Sequence, residues 1–545
     1  MRPWAAPSRS RPAPRAPCRP TPSVRAWPPT RLQPRGTSMR TIVRGAPRLR
    51  RGLRQLTFAL VAAAAACGSS DDASFGPSAQ YEARCAAPRA GIDPSTGEPY
   101  RDRRGTLADE KAWVRSWIHE LYLWYREVPN ANPAGYSTPA RYFDVLKTPA
   151  STASGRPKDR FHFTYPTDAW VALSQSGVEV GYGVQWVILS QDPPRQAVAA
   201  YVEPDSPGEI AGIARGTALV AVDGVDLANG TDVDTLNAGI APSTADEVHT
   251  LTIRDGLGTR TVQVTSTAVE GTPVPVVQTI STASGTVGYV LFNDHVATSE
   301  AQLVAAIEQL RTAAVRDLVL DLRYNGGGYL AIASQLAYMI AGPASTTGKA
   351  FERLVFNDKV DIRDPDTGEP LPPMPFFETT LDFSLPPGAA LPTLGLGRVF
   401  VLTGAGTCSA SESVMNGLRG IGVQVIQIGA ATCGKPYGFS PRDNCGTTYF
   451  AIQFQGVNEQ GFGEYGDGFV PGGSGVAGVP GCAVPDDYGH ELGDPAEARL
   501  SAALAYRATG RCPAGGTSAL TAETALAGEG EVVKSPWRQN RIVER

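Results

Sequence analysis

Between residues 287 and 428 the chain alternates short apolar runs with longer runs at helical spacing. Leu318-Val-Leu-Asp-Leu322 reads as a buried strand. Gly326-Gly-Gly328 then breaks the chain, and 329–340 resumes as a helix that Gly342-Pro343 stops. Residues 399–403 are the next strand, followed by a glycine-rich turn, a helix from about Ser409 to Leu418, and a further strand at 423–428. Upstream, 287–292 reads as a strand, and Ser299-Glu-Ala-Gln302 has the spacing of a capping box at a helix start. Residues 343–395 are proline-rich and read as irregular. Repeated strand–helix units predict an α/β layer structure.

Strand ends followed by glycines and a helix start expose unpaired N–H groups, so they are natural sites for negative charge. Two such places occur: Arg323-Tyr-Asn-Gly326-Gly-Gly328 and Gly406-Thr-Cys-Ser409-Ala-Ser-Glu412. Neither is a Walker loop or a dinucleotide fingerprint, and no serine sits in G-x-S-x-G. The five histidines are scattered and give no triad signature. A lone serine at a helix start is most often an N-cap. A serine can also be activated by a lysine whose amine is desolvated. Gly434-Lys435-Pro436 follows the 423–428 strand, and adjacent parallel strands would bring Ser409 and Lys435 to one sheet edge.

Ahead of this region, 178–186 and 199–203 are strand-like, Ser206-Pro-Gly-Glu-Ile-Ala-Gly212 is a proline-started turn, and 218–225 runs into an Asp-Gly turn. Residues 249–254 and 259–265 alternate as a pair of strands. This order over 177–268 resembles a PDZ domain, with Thr217 where an Asp is common. The resemblance implies a loop, Gly181-Tyr182-Gly183-Val184, whose N–H groups take a peptide's terminal carboxylate while the peptide adds as a strand. Tyr182, Gly183, Val184 and Ile210 are the expected peptide-binding residues, with Val184 and Ile210 lining an apolar pocket.

Asp321-Leu-Arg-Tyr-Asn-Gly-Gly-Gly, then Ser409-Ala-Ser-Glu412, then Gly434-Lys435, after a PDZ-like module, resemble the S41 peptidases, the carboxy-terminal processing proteases. The ending Asp486-Asp-Tyr-Gly-His-Glu-Leu-Gly-Asp-Pro495 is similar to exported, Cys-containing relatives. The resemblance covers about 100–512. It implies a crotonase/ClpP-like α/β core at 286–512, an inserted PDZ-like β-domain and an N-terminal helical cap at 99–170, where 107–125 carries Trp113 and Trp117. It implies Ser409 as nucleophile, Lys435 as general base, and an oxyanion hole from the N–H of Ala410 and of a glycine among 326–328, Gly328 before Gly327. Glu412 reads as a helix-start or orienting group. The Ser–Lys separation is one residue longer than the common pattern, and Phe439 stands where many relatives carry a Gln. No cofactor or metal is implied; the expected partner is a protein or peptide with an apolar C-terminus. A second reading is an inactive PDZ scaffold of the cell envelope; a crotonase-like hydratase or hydrolase is a third, with no CoA pocket to support it.

Charge and cysteines bear on location. Residues 1–66 carry fourteen arginines and no acid, which leaves 35 basic against 53 acidic residues beyond them. That acidic body argues against nucleic-acid binding. An eleven-residue, mostly apolar run, 56–66, follows the arginines. It is too short to span a membrane but fits a secretory leader, and Met39 opens a more ordinary leader than Met1. Ala64-Ala65-Ala66-Cys67 resembles a bacterial lipobox, which predicts lipidation at Cys67 and an envelope protein anchored to the membrane, facing the periplasm or the cell surface. Residues 67–98 read as a flexible tether and 513–545 as a disordered tail. Setting Cys18 and Cys67 aside leaves six cysteines, an even set suited to disulfides in an exported chain. Fifteen pairings are open; Cys433–Cys445 would close a short loop.

Overall fold

The computed structural model describes residues 75–93, 96–361, 363, 370, 372–513 and 530–533. The leader, Cys18 and Cys67 lie outside the described residues. Six strands form the core sheet in the order Val276–Thr282, Gly285–Leu291, Asp317–Asp321, Arg398–Thr403, Gln424–Gly429, Gly481–Ala483. The first two pair as an antiparallel hairpin, and every later pair is parallel. All five residues of Asp317–Asp321 are buried, as befits a parallel strand covered on both faces. Side chains alternate across it. Leu318, Leu320, Val399 and Val401 pack with helices Ser299–Thr312, Leu330–Ala341 and Ala410–Gly420. Val319, Phe400 and Ile426 pack on the other side with helix Ala498–Thr509. Each such buried side chain contributes roughly 1.5–3 kcal/mol.

The chain enters and leaves a β-domain through Val178–Gly181 and Thr267–Glu270, which pair antiparallel. Its sheet runs Gly258–Thr265, Val248–Asp255, Ala218–Val222, Gln196–Val202, Val184–Ser190. Helix Val233–Ile240 closes one face over Trp186, Leu219, Leu251 and Ile253. At the N-terminal side, helix Leu107–Leu121 starts with a capping box between Thr106 and Asp109. It buries Trp113 and Trp117 against Phe143 and Tyr449.

Several expectations are corrected. Cys433 pairs with Cys408, and Cys445 with Cys85, so the Cys433–Cys445 bridge is not formed. Cys433 returns to the strand end that carries Ser409, whereas Cys445 turns the Arg442–Asn444 and Thr447–Phe450 hairpin, beside the N-terminal segment. Cys482–Cys512 is the third bridge. Within the expected tether, Arg84–Cys85 pairs with Arg103–Arg104, and Cys85 is bonded to Cys445. Within the expected tail, Glu531–Val532 forms a strand on the free edge of Val184–Ser190. Ala350–Phe356, inside the region read as irregular, pairs with Phe454–Val457. At 299–302 no capping box forms, since Ser299 Oγ donates to Asp294 O and Gln302 accepts from Val274 N.

Candidate active site

The two glycine-rich turns leave the C-terminal ends of neighbouring parallel strands, Asp317–Asp321 and Arg398–Thr403. Side chains and backbone stitch them together. Thr407 Oγ1 donates to Leu322 O at 2.7 Å, Cys408 N–H to Asn325 O at 3.0 Å, and Ser411 Oγ to the same oxygen at 3.1 Å. Between these anchors Ser409 adopts φ 57° and ψ −118°. That conformation costs a side chain about 1–3 kcal/mol and persists only where the surroundings impose it. Ser409 is half-buried and starts helix Ala410–Gly420.

Lys435 reaches the same place from the end of strand Gln424–Gly429, which is parallel to Arg398–Thr403. Cys433 N–H donates to Thr407 O at 2.9 Å, and the Cys408–Cys433 bridge ties the two turns covalently. The Glu412 carboxylate, wholly buried, accepts from Ser409 N–H at 3.0 Å, Gly434 N–H at 2.9 Å, Lys435 N–H at 2.8 Å and Thr432 Oγ1 at 2.5 Å. Burial pushes its pKa up, against these donors. The Lys435 side chain is buried, with Nζ 4.0 Å from the centre of the Phe439 ring and 5.3 Å from that of Phe161. Phe439, at the position where many relatives carry a Gln, thus packs its ring face against the end of the lysine side chain. Arg160 donates to the carbonyls of Cys433, Gly434 and Gly466. Burial, with Arg156 nearby, lowers its pKa to about 10.

The glycine run lies directly against Ser409. A Cβ on Gly327, at φ 96°, would stand 2.8 Å from Ser409 Cβ and 2.9 Å from Ala410 N. Asn325 Nδ2 donates to Phe292 O, so its Oδ1 accepts from both Gly327 N–H and His295 Nδ1–H, each at 2.9 Å. Gly327 N–H is thus occupied. Gly328 N–H and Ala410 N–H make no hydrogen bond among the described residues. His295 is fully buried, and burial lowers its pKa to about 3, so it is neutral. A hydroxyl, a buried lysine and two unpaired N–H groups at one sheet edge are the parts of acyl transfer. Cys408, Glu412 and Cys433 cluster closely but are no metal set, because the two sulfurs are bonded to each other.

In the β-domain, Tyr182, Gly183 and Val184 line a cleft of about 220 Å³ that reaches Tyr324 and Gly326 of the core. Ser409 and Lys435 do not line it. Ile210 is not in it either: it is 80% exposed, because the short helix Pro207–Ile210 turns Gly208 against Val184. Ile240 supplies the apolar wall. The β-domain meets the core through Arg215, which donates to Tyr324 Oη at 2.7 Å and to Asp486 at 2.9 Å. Asp486 also accepts from the buried Arg323, which pairs with Asp321 and Glu497.

An α/β sheet with these parts at its strand ends defines a hydrolase-like core. Residues 286–443 match Peptidase family S41, and 109–165 match the Peptidase S41 N-terminal domain. The chain thus carries a peptidase domain and an N-terminal domain of the S41 type, a family of serine proteases. Among solved structures it is similar to an S41 protease from Bacteroides fragilis, 23% identical, with 73% of this chain and 97% of that one covered at a TM-score of 0.53. It is also similar to the photosystem II D1 C-terminal processing protease, 20% identical over 66% and 90% of the two chains, TM-score 0.39. No curated protein matches the sequence. Among the described residues no helix is long and apolar enough to cross a membrane.

Proposed function

We propose that the protein is an exported serine endopeptidase working through a Ser409–Lys435 dyad. The observation that carries this reading is the single Glu412 carboxylate bonded to the N–H of both residues. The Ser409 hydroxyl attacks the scissile carbonyl and gives its proton to the neutral Lys435 amine. Ala410 N–H and Gly328 N–H hold the oxyanion, an effect worth about 3 kcal/mol per donor in comparable sites. Lys435 returns the proton to the leaving amine, and water then releases the acyl group.

The β-domain acts as a PDZ-like module. The 181–184 loop takes a terminal carboxylate, and the pocket beside Val184 and Ile240 takes the last apolar side chain. The test compares kcat/KM for one substrate with a free apolar tail, an amidated tail, or a tail ending in Asp. The free apolar tail is expected to be cut fastest. Equal rates remove tail capture, and tail binding without cleavage by the full chain favours the scaffold reading. Lipidation at Cys67 would hold the enzyme at the envelope, so Cys67→Ser is expected to release it from membranes. Unchanged partitioning contradicts that part.

A further inference from the structure

The edge strand that would receive a substrate tail is already paired. Glu531 and Val532 lie antiparallel to Val184–Ser190, opposite Ile188 and Val187. Val533 N–H donates to Trp186 O at 2.9 Å, and Gln185 Nε2 donates to Val533 O at 2.7 Å. Val533 is buried among the core side chains of the β-domain, two residues short of the 181–184 loop in the strand register. Val532 faces the other way and packs on Tyr324. A Cβ placed on Gly406, three residues before Ser409, would come 3.1 Å from Val532 Cγ2. Glu531 is held by Gln191 Nε2 at 2.9 Å.

We propose that residues 530–533 are an intramolecular ligand of the β-domain groove, and that a substrate tail binds only by displacing them. This rests on the tail-capture reading above. Backbone pairing supplies affinity for any extended peptide, while the buried Val533 supplies selectivity. The groove therefore favours tails with two adjacent β-branched apolar residues, the first facing the core at Tyr324 and the second buried in the β-domain. The own segment is not a chain end, because Lys534 follows Val533. It lacks the terminal carboxylate that a cleaved or natural substrate end would bring to the 181–184 loop, so a free end holds an extra interaction in the exchange.

The experiment measures binding of a fluorescent peptide ending in Val-Val with a free carboxylate. Three proteins are compared: the full chain, a chain ending at Glu529, and the full chain with Val533→Asp. The shortened and substituted proteins are expected to bind about tenfold tighter, the factor for an intrinsic Kd of ~0.1 mM against an effective concentration of ~1 mM. A synthetic peptide of residues 528–535 should displace the probe from the shortened chain. Should the shortened chain not fold, Val533→Asp carries the same comparison. Equal, tight probe binding by all three proteins overturns the intramolecular ligand and leaves tail capture standing. Binding of the 528–535 peptide without binding of the probe keeps the intramolecular ligand and removes tail capture. Binding of neither overturns both.

Discussion

The Lys435 backbone N–H donates at 2.8 Å to the Glu412 carboxylate, 23 residues earlier in the chain. The same carboxylate receives Ser409 N–H. One buried acid thus fixes the spacing of two turns that leave different strands. Glu412→Gln places an amide NH2 where only an acceptor fits. We expect kcat to fall about 10- to 100-fold with KM little changed, and stability to drop by about 1–3 kcal/mol as buried donors lose their acceptor. Glu412→Asp should recover part of the rate. Full kcat in Glu412→Gln would show that the carboxylate does not position the dyad.

The Cys408–Cys433 bridge spans the same two turns and encloses 25 residues of sequence separation. Replacing both cysteines with serine should destabilise the chain by about 3 kcal/mol, the magnitude for a loop of that size. The activity loss should fall on kcat, and any remaining response to reductant should come from the Cys85–Cys445 and Cys482–Cys512 bridges alone. If wild type keeps full activity after this bridge is reduced, shown by mass after alkylation, the bridge does not serve the site.

His295 gives a pH signature. Its folded pKa of about 3 lies below its ordinary value of 6.5, with burial as the cause. Between those values the unfolded chain binds more protons than the folded one, so acidification destabilises the fold, by roughly 1.4 kcal/mol per pH unit. The contribution is fully present above pH 6.5 and is lost as pH falls toward 3. His295→Asn keeps a donor for Asn325 and removes the titration. Urea unfolding at pH 7 and pH 4.5 should show wild type losing about 2–3 kcal/mol more than the variant. Equal losses would mean that His295 is not buried neutral.

The strand–helix alternation of the core was legible because its strands are buried on both faces and its breaks are glycines. Gly326, Gly327 and Gly328 announce a tight turn, and motif order singles out Ser409 and Lys435 as the candidate pair. The acceptor role of Glu412 was only half visible: a helix-start acid is a local signal, whereas its bonds to 432–435 depend on the parallel register of the 398–403 and 424–429 strands. Cysteine pairing failed for the same reason, since sequence proximity favoured Cys433–Cys445 while the sheet brings Cys433 to Cys408. Ile210 was misplaced because a four-residue helix has no periodicity to show its facing side. The buried Arg215, Asp486 and Arg323 network joins three distant segments, and no local pattern marks Arg215. Nothing in 530–533 distinguishes it from its surroundings until its partner strand is known.

The dyad itself is tested most directly by kcat/KM for a tailed protein substrate, measured side by side for wild type, Ser409→Ala and Lys435→Ala. Circular dichroism and unfolding midpoints would confirm intact folds. Each variant is expected to lose at least about 10³-fold in kcat, and the double variant to lose little more than either single one, as residues acting as a unit do. Proteolysis at the wild-type rate by folded Ser409→Ala or Lys435→Ala would contradict the assignment.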